Sequence, residues 1–149
     1  MVLYFDGLCE PKNPGGVATY GFVAKRGSEV ICKGKGVVGA GFLGDDVTNN
    51  VAEYTALIKG LECLAEKGID KIKVRGDSQL VIKQLKGEYR VRSDRLRPLY
   101  ERAKELLRKF DYELEWVPRR FNEEADRLSR EAFAEFVERH RREYEAFYG

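Results

Sequence analysis

The sequence predicts a single α/β domain (α+β in some schemes) in which helices pack on a mixed β-sheet. Three observations predict it. Strand-like apolar segments follow one another without a helix through the first quarter of the chain. Short strands then alternate with segments of helical spacing. The length of 149 residues suits one domain built on one core. Consecutive antiparallel strands followed by strand–helix alternation are the usual source of a mixed sheet. No repeat, low-complexity tract or linker divides residues 1–149.

The elements follow in order. Residues 2–5 are apolar and run into Asp6, which predicts a buried strand with a polar residue at its tip. Gly7 to Gly16 contains Pro11, Asn13, Pro14, Gly15 and Gly16, and is expected to be a loop. Residues 18–26 and 29–39 predict two further strands joined by a turn near Gly27-Ser28. A glycine-rich connection covers Gly39 to Asp46. Helical spacing begins near Asn50, with Ala52, Ala56, Leu57, Leu61 and Leu64 on one face and Gly68 as a C-cap. Ile72 and Val74 alternate with Lys71, Lys73 and Arg75 in a short strand that leads into Gly76-Asp77. Residues 78–86 predict a short helix. Ser93 is the candidate N-cap of the next helix, which tolerates Pro98 only in its first turn. Tyr112, Leu114 and Trp116 alternate with Glu113 and Glu115 in a last strand, ended by Pro118. Asn122 is expected to cap a final helix toward residue 149, giving the order β-β-β-α-β-α-α-β-α.

Composition narrows the class. The net charge is +2, so any nucleic-acid affinity has to come from local clusters of Lys and Arg. No apolar run is long enough to span a bilayer, so no membrane partner is expected. The start, Met1 to Asp6, lacks the pattern of a signal peptide, which predicts a cytoplasmic protein. Cys9, Cys32 and Cys63 are odd in number and widely spaced. They suggest neither a disulfide framework nor a zinc site, and Cys32 and Cys63 are expected as unpaired core residues. Scarce Asn, Gln and Met beside abundant Glu, Lys and Arg point toward a thermophilic source.

Chemistry is expected at four acids. Asp6 and Asp77 end strands, Glu53 lies near the start of a helix, and Asp126 lies one turn into the last helix. Strand ends and helix starts can converge on one edge of a sheet. Singly, each acid reads as a turn former, a cap or a dipole-favoured residue. Jointly, converging carboxylates need cations, and hard oxygen ligands favour Mg²⁺ or Mn²⁺. Two such ions about 3.5–4 Å apart are the common device for displacement at phosphorus.

The same segments resemble the signature motifs of the ribonuclease HI family. Asp6-Gly7, Thr48-Asn49-Asn50 with Glu53, Asp77-Ser78-Gln79 and Ala125-Asp126 occur in the family's order. The stretches Gly7 to Gly16 and Trp116-Val117-Pro118-Arg119 are similar to the compact archaeal form. The resemblance implies an RNase H-like fold: a five-stranded mixed sheet of order 3-2-1-4-5 flanked by helices. It implies an endonuclease that uses two divalent ions to hydrolyse the RNA strand of an RNA–DNA hybrid, leaving 5′-phosphate and 3′-hydroxyl ends. Asp6 would bridge the ions, Glu53 and Asp77 would hold the one near the leaving oxygen, and Asp126 the one that activates water. Asn50 and Gln79, with Asn49 beside them, match minor-groove contacts. Thr48, joined by Asn13, matches a contact to a phosphate of the DNA strand.

Several points stay open at this level. Either Asn49 or Asn50 is expected to cap the helix while the other touches substrate. Arg119 occupies a stretch where bacterial relatives carry a His, and reads equally as a scissile-phosphate contact or a surface arginine. Lys83, Lys86, Arg90, Arg92, Arg95 and Arg97 are candidates for an electrostatic footprint in place of the bacterial basic helix. His140 reads as part of a solvated helix face. The aromatic residues from Phe133 to Tyr148 read as packing, over the sheet or against a partner. Double-stranded RNA is a second candidate substrate, and a monomer is expected. Outside this reading stand a non-catalytic binding module that kept the fold and a domain cut from a reverse transcriptase.

Overall fold

A computed structural model describes residues 1–149. Five strands, β1 (Val2–Glu10), β2 (Val17–Arg26), β3 (Glu29–Ala40), β4 (Lys71–Gly76) and β5 (Asp111–Trp116), form one sheet of order β3-β2-β1-β4-β5. β1, β2 and β3 pair antiparallel, while β4 joins β1 and β5 joins β4 in parallel. The helices are α1 (Asn49–Glu66), α2 (Gln79–Leu85), α3 (Arg97–Leu107), α4 (Glu123–Arg139) and α5 (Arg141–Tyr148). The expected fold class and strand order are those observed.

The alternation of β1 assigns its two faces. Leu3, Phe5 and Gly7 point toward α1, and a Cβ on Gly60 of that helix would strike Leu3. Tyr4 and Asp6 point the other way, toward the side covered by α4. The main core lies on the α1 side. It joins Leu3 and Phe5 to Tyr54, Leu57, Leu61 and Leu64 of α1, and to Ile82, Leu106 and Leu107. Tyr54 is wholly buried, and its hydroxyl donates to Gln84 Oε1 at 2.6 Å, which satisfies the two polar side chains together.

β1 is longer than the sequence suggested. It continues past Asp6 to Glu10, because Asp6 to Glu10 keep pairing with β2. Pairing with β4, however, stops at Phe5–Gly76. Asp6 is therefore the first residue beyond the parallel pair, at the fork where β1 and β4 part. The final helix is also two helices. α4 ends at Arg139, and α5 folds back so that Tyr148 donates its hydroxyl to the Gly15 carbonyl at 2.7 Å. His140 forms the joint, stacked on Phe136 with ring centroids 4.2 Å apart, and so belongs to packing rather than to an open helix face. Phe42, Phe133, Tyr144 and Tyr148 complete this aromatic satellite against Val17 and Ala40.

Helix starts differ in detail. Thr48, not Asn49 or Asn50, caps α1, and its hydroxyl accepts from the Val51 amide at 3.2 Å. Ser78 caps α2 in the same way. Ser93 begins a turn that precedes α3, and Pro98 does lie in the first turn. Asn122 precedes α4 without a side-chain cap; its Nδ2 donates to the Phe5 carbonyl.

The cysteine expectation needs correcting. Cys32 of β3 and Cys63 of α1 form a disulfide, with Cα atoms 6.3 Å apart. The residues are 31 apart in sequence, and only the packing of α1 across the sheet makes them neighbours. Closing a loop of this size restricts the unfolded chain by about 3.5 kcal/mol in the chain-entropy picture. We expect Cys63→Ser to lower the midpoint of thermal unfolding by about 6–12 °C, with the same shift on adding reductant to the native protein. Calorimetry with and without reductant checks this, and reductant should leave the variant unchanged.

Candidate active site

The site begins with two missing side chains. A Cβ on Gly7 would lie 2.5 Å from the backbone of Ala52 and Glu53, so only glycine lets α1 approach β1 there. Gly21 pairs with Asp6 across β1 and β2. A Cβ on Gly21 would lie 2.5 Å from the Ala125 carbonyl, so α4 approaches β2 equally closely. Asp6 is thus flanked by a glycine along the chain and a glycine across the ladder. Through them Glu53 and Asp126 are brought to the same fork. Asp77 arrives from the end of β4, one residue beyond the Phe5–Gly76 pair.

Asp6, Glu53 and Asp77 offer carboxylate oxygens that all lie within 4.8 Å of one another. Asp6 and Glu53 are buried, and Asp77 partly so. Burial, with the repulsion of Asp77, Asp126 and Glu53, pushes the Asp6 carboxyl up to about 9. A hydrogen bond with the Asp126 side chain acts in the same direction. Burial and Asp77 push Glu53 up to about 8, against a hydrogen bond from Ser78. Burial also raises Asp77, although Arg119 and a hydrogen bond from Asn122 favour its charged form. Three oxygen donors this close, short of positive charge, fit a hard divalent cation.

Asp126 stands slightly apart. It borders the same cleft and neighbours Asp6, but it lies outside the tight trio. Both its oxygens face Arg130, with Nε at 3.2 and 3.3 Å, and Arg119 approaches to 3.6 Å.

The trio lies in a cleft of about 720 Å³. Asn13, Asn49, Asn50, Gln79 and Arg119 border it, as the sequence placed them, whereas Thr48 does not. Asn13 and Asn49 hold each other in both directions: Asn13 Nδ2 donates to Asn49 Oδ1 at 2.6 Å, and the Asn49 amide donates to Asn13 Oδ1 at 3.2 Å. Asn49 Nδ2 reaches Glu53 at 3.5 Å. Asn49 is thereby fixed by its neighbours, while Asn50 and the exposed Gln79 have no such side-chain partner and face the cleft.

Four further residues belong to the site although sequence reasoning did not assign them. Asn122 is buried and donates to the Phe5 carbonyl at 2.9 Å, tying the start of α4 to β1 beside Asp6. Trp116, the sole tryptophan, donates its indole N–H to the Asp77 carbonyl at 3.1 Å and steadies that turn. Glu10 and Arg130 line the cleft beyond Asp126. Sequence spacing carried one usable signal: Asp126 and Arg130 are four apart on a helix.

A sheet of this order with acids gathered at the β1–β4 fork defines a protein of the RNase H-like class. The family model "Reverse transcriptase-like" matches residues 25–132. Ribonuclease HI of Halobacterium salinarum is 42% identical over 130 residues, which cover 87% of this chain and 62% of that protein. The crystal structure of RNase H1 from the same archaeon superposes with a TM-score of 0.79 at 43% identity, covering 90% of this chain and 97% of that one. The N-terminal RNase H domain of a Mycobacterium tuberculosis protein, solved as a fusion, gives 0.82 at 36% identity, covering 93% and 96%. LC11-RNase H1 from compost, solved with an RNA/DNA hybrid, gives 0.80 at 29%, covering 91% and 98%. The chain belongs to the ribonuclease HI family.

The crowding of acids has a thermodynamic consequence. A carboxyl whose folded pKa is raised stabilises the fold fully only below its unfolded pKa, near 4, and that stability is lost as pH rises through the folded pKa. For Asp6 and Glu53 the window runs from about pH 4 to about 9 and 8. In chelator, the unfolding midpoint should therefore fall as pH rises across this window, and Mg²⁺ or Mn²⁺ should restore it. Asp77→Asn should raise the midpoint of the metal-free protein at pH 8 by about 3–6 °C, for about 1–2 kcal/mol of relieved repulsion. Thermal melts with and without chelator check both, and a midpoint indifferent to pH would show that the acids are not crowded.

Proposed function

We propose that the protein is a metal-dependent endoribonuclease that hydrolyses the RNA strand of RNA–DNA hybrids, leaving 5′-phosphate and 3′-hydroxyl ends. The observation that carries this is the pairing of an acidic floor with an amide-lined wall. Asp6, Glu53 and Asp77 converge within 4.8 Å at the base of the cleft, and Asn13, Asn49, Asn50 and Gln79 border it. The hybrid bound by LC11-RNase H1 supports the substrate class.

Asp6, Glu53, Asp77 and Asp126 would hold two divalent ions, Mg²⁺ or Mn²⁺. When bound, such ions neutralise charge at a scissile phosphate and lower the pKa of an attacking water. The chain does the rest by positioning. Asp6 neighbours Asp126 as well as Glu53 and Asp77, so it would contribute to holding both ions. Asn50 and Gln79 present amide groups to the cleft, where they can read 2′-hydroxyls across the wide minor groove of an A-like duplex. Asn13 and Asn49, locked together, form a rigid ledge beside them. The Thr48 hydroxyl caps α1 as an acceptor, which leaves its proton free to donate to a phosphate of the DNA strand. Arg119 borders the cleft near Asp126, and its guanidinium can contact a phosphate there.

Basic side chains extend the surface beyond the cleft. Lys86, Arg90 and Arg92 are exposed on the segment between α2 and α3 and can meet backbone phosphates. Arg95 is engaged with Asp46, and Arg97 donates to the Val91 carbonyl, so these two serve the fold first. No helix is long and apolar enough to cross a membrane. A monomer in the cytoplasm fits this reading. The disulfide agrees with that location if the source is hyperthermophilic, where intracellular disulfides are common.

A hybrid with labelled RNA should be cut with Mg²⁺ and remain intact in chelator. A matched RNA duplex and DNA duplex complete the test: cutting of the RNA duplex would widen the substrate class to A-form shape alone. Asp77→Asn should abolish cleavage yet retain hybrid binding, because Asn keeps the shape of Asp but loses the charge that holds an ion. Near-normal turnover would remove Asp77 from the mechanism. Asn50→Ala and Gln79→Ala should each weaken hybrid binding about two- to tenfold at fixed salt, with metal affinity unchanged.

A further inference from the structure

We propose that Arg130 is a resident cation of this site, holding Asp126 until an ion claims it and then turning to Glu10. The inference rests on the metal-dependent reading above. Its starting point is the placement of Asp126. Of the four acids, it alone has a guanidinium against both oxygens, Arg130 Nε at 3.2 and 3.3 Å. Arg130 lies four residues further along α4, so helix geometry stacks the two side chains on one face. The pair is built into the helix, and it occupies the oxygens an ion between Asp6 and Asp126 would need.

A second partner stands ready. Strand alternation places Asp6, Leu8 and Glu10 on one face of β1, so Glu10 points to the same side as Asp6. Arg130 Nη1 already lies 3.4 Å from Glu10 Oε2. The guanidinium thus spans two carboxylates, one at the metal site and one at its border. Arg130 and Glu10 are each about half exposed, with side-chain exposures of 46% and 47%, whereas Asp126 is at 24%. Moving the guanidinium wholly to Glu10 needs only a change of side-chain rotamer at a solvated position. That move frees Asp126 without leaving Arg130 unpaired beside a new cation. Arg119 also approaches Asp126, but at 3.6 Å and 65% exposure, and the other carboxylate it acts on, Asp77, belongs to the acid cluster rather than to its border.

Two roles follow. Without metal, Arg130 neutralises Asp126 at the edge of the acid cluster. With metal, it sets the threshold of the weaker ion position, since binding there must displace it. Glu10 lowers that threshold by giving Arg130 somewhere to go.

The test is Mn²⁺ binding, counted by electron paramagnetic resonance and calorimetry on wild type, Arg130→Ala, Glu10→Gln and the double variant, with circular dichroism to confirm folding. Arg130→Ala should tighten the weaker ion about fivefold, the scale of one partly exposed ion pair, and leave the tighter ion unchanged. Glu10→Gln should weaken the weaker ion by a similar factor. A general electrostatic effect of each charge would make the two changes additive. Action of Glu10 through Arg130 predicts that Glu10→Gln has almost no effect once Arg130 is gone. An unchanged or weaker second ion in Arg130→Ala, or an undiminished Glu10 effect in the double variant, overturns the proposal. Wild type that binds no Mn²⁺ at all overturns the metal-dependent reading itself, and Arg130 falls with it.

Discussion

The site depends on two backbone-to-backbone contacts on either side of one carboxylate. α1 meets β1 at Gly7, and α4 meets β2 at Gly21, each so closely that a methyl group would strike the helix backbone. Gly7 follows Asp6 in the chain, and Gly21 faces Asp6 across the ladder. Helices normally stand off a sheet by the thickness of their side chains. Here both are drawn in at the same register, so Glu53 and Asp126 reach an acid that belongs to a strand. A single Cβ at either glycine would push a helix outward and part the acids, at an overpacking cost of about 1–3 kcal/mol. Asn122 reinforces the second contact by bonding the Phe5 carbonyl just before Asp6.

Much of this was legible in the sequence, for physical reasons that differ by element. Apolar runs revealed the first three strands, and alternation revealed β4 and β5, where Ile72 and Val74 are buried and Tyr112 and Leu114 half-buried. The four acids stood out only jointly: each alone has an ordinary structural duty, but strand ends and helix starts can converge on one sheet edge. What escaped reading was long-range. The end of β1 was misplaced because Asp6 closes the apolar run, yet β2 goes on pairing to Glu10, which period alone cannot show. Thr48 caps α1, while Asn49 is bonded by Asn13 from the loop between β1 and β2, a partner that spacing in the chain does not reveal. The Cys32–Cys63 bond depends on where α1 crosses the sheet, and spacing in the chain carries no such information. The break at His140 is local, but no Pro or Gly marks it; His140 leaves helical backbone geometry while stacking on Phe136.

The distribution of charge explains how a protein of net charge +2 can face a polyanion. Asp6, Glu53, Asp77 and Asp126 line the cleft, and the exposed Lys86, Arg90 and Arg92 lie on the segment between α2 and α3. The polar wall between them carries no net charge, since Asn13, Asn49, Asn50 and Gln79 are amides. In the proposed function, duplex phosphates would be met by cations at a distance while the reacting phosphate would meet the acids through bound ions. An acidic floor without ions would repel the substrate, so affinity for metal and affinity for nucleic acid are coupled by charge alone.

The same crowding also sets where stability has to come from. Three buried or partly buried acids at one fork oppose folding at neutral pH, and the opposition grows as protons leave. The compensating elements lie away from the fork. The disulfide ties α1 to β3, and the aromatic satellite folds α5 onto the loop before β2 through Tyr148 and Gly15. That loop carries Asn13, which holds Asn49 and through it faces Glu53. Stabilisation remote from the acids therefore reaches them along a continuous chain of contacts. This lets the fork remain electrostatically unfavourable in the free protein, which is the condition for a cation to bind there strongly. Neutralising the acids would make the fold more stable and remove its reason to bind metal.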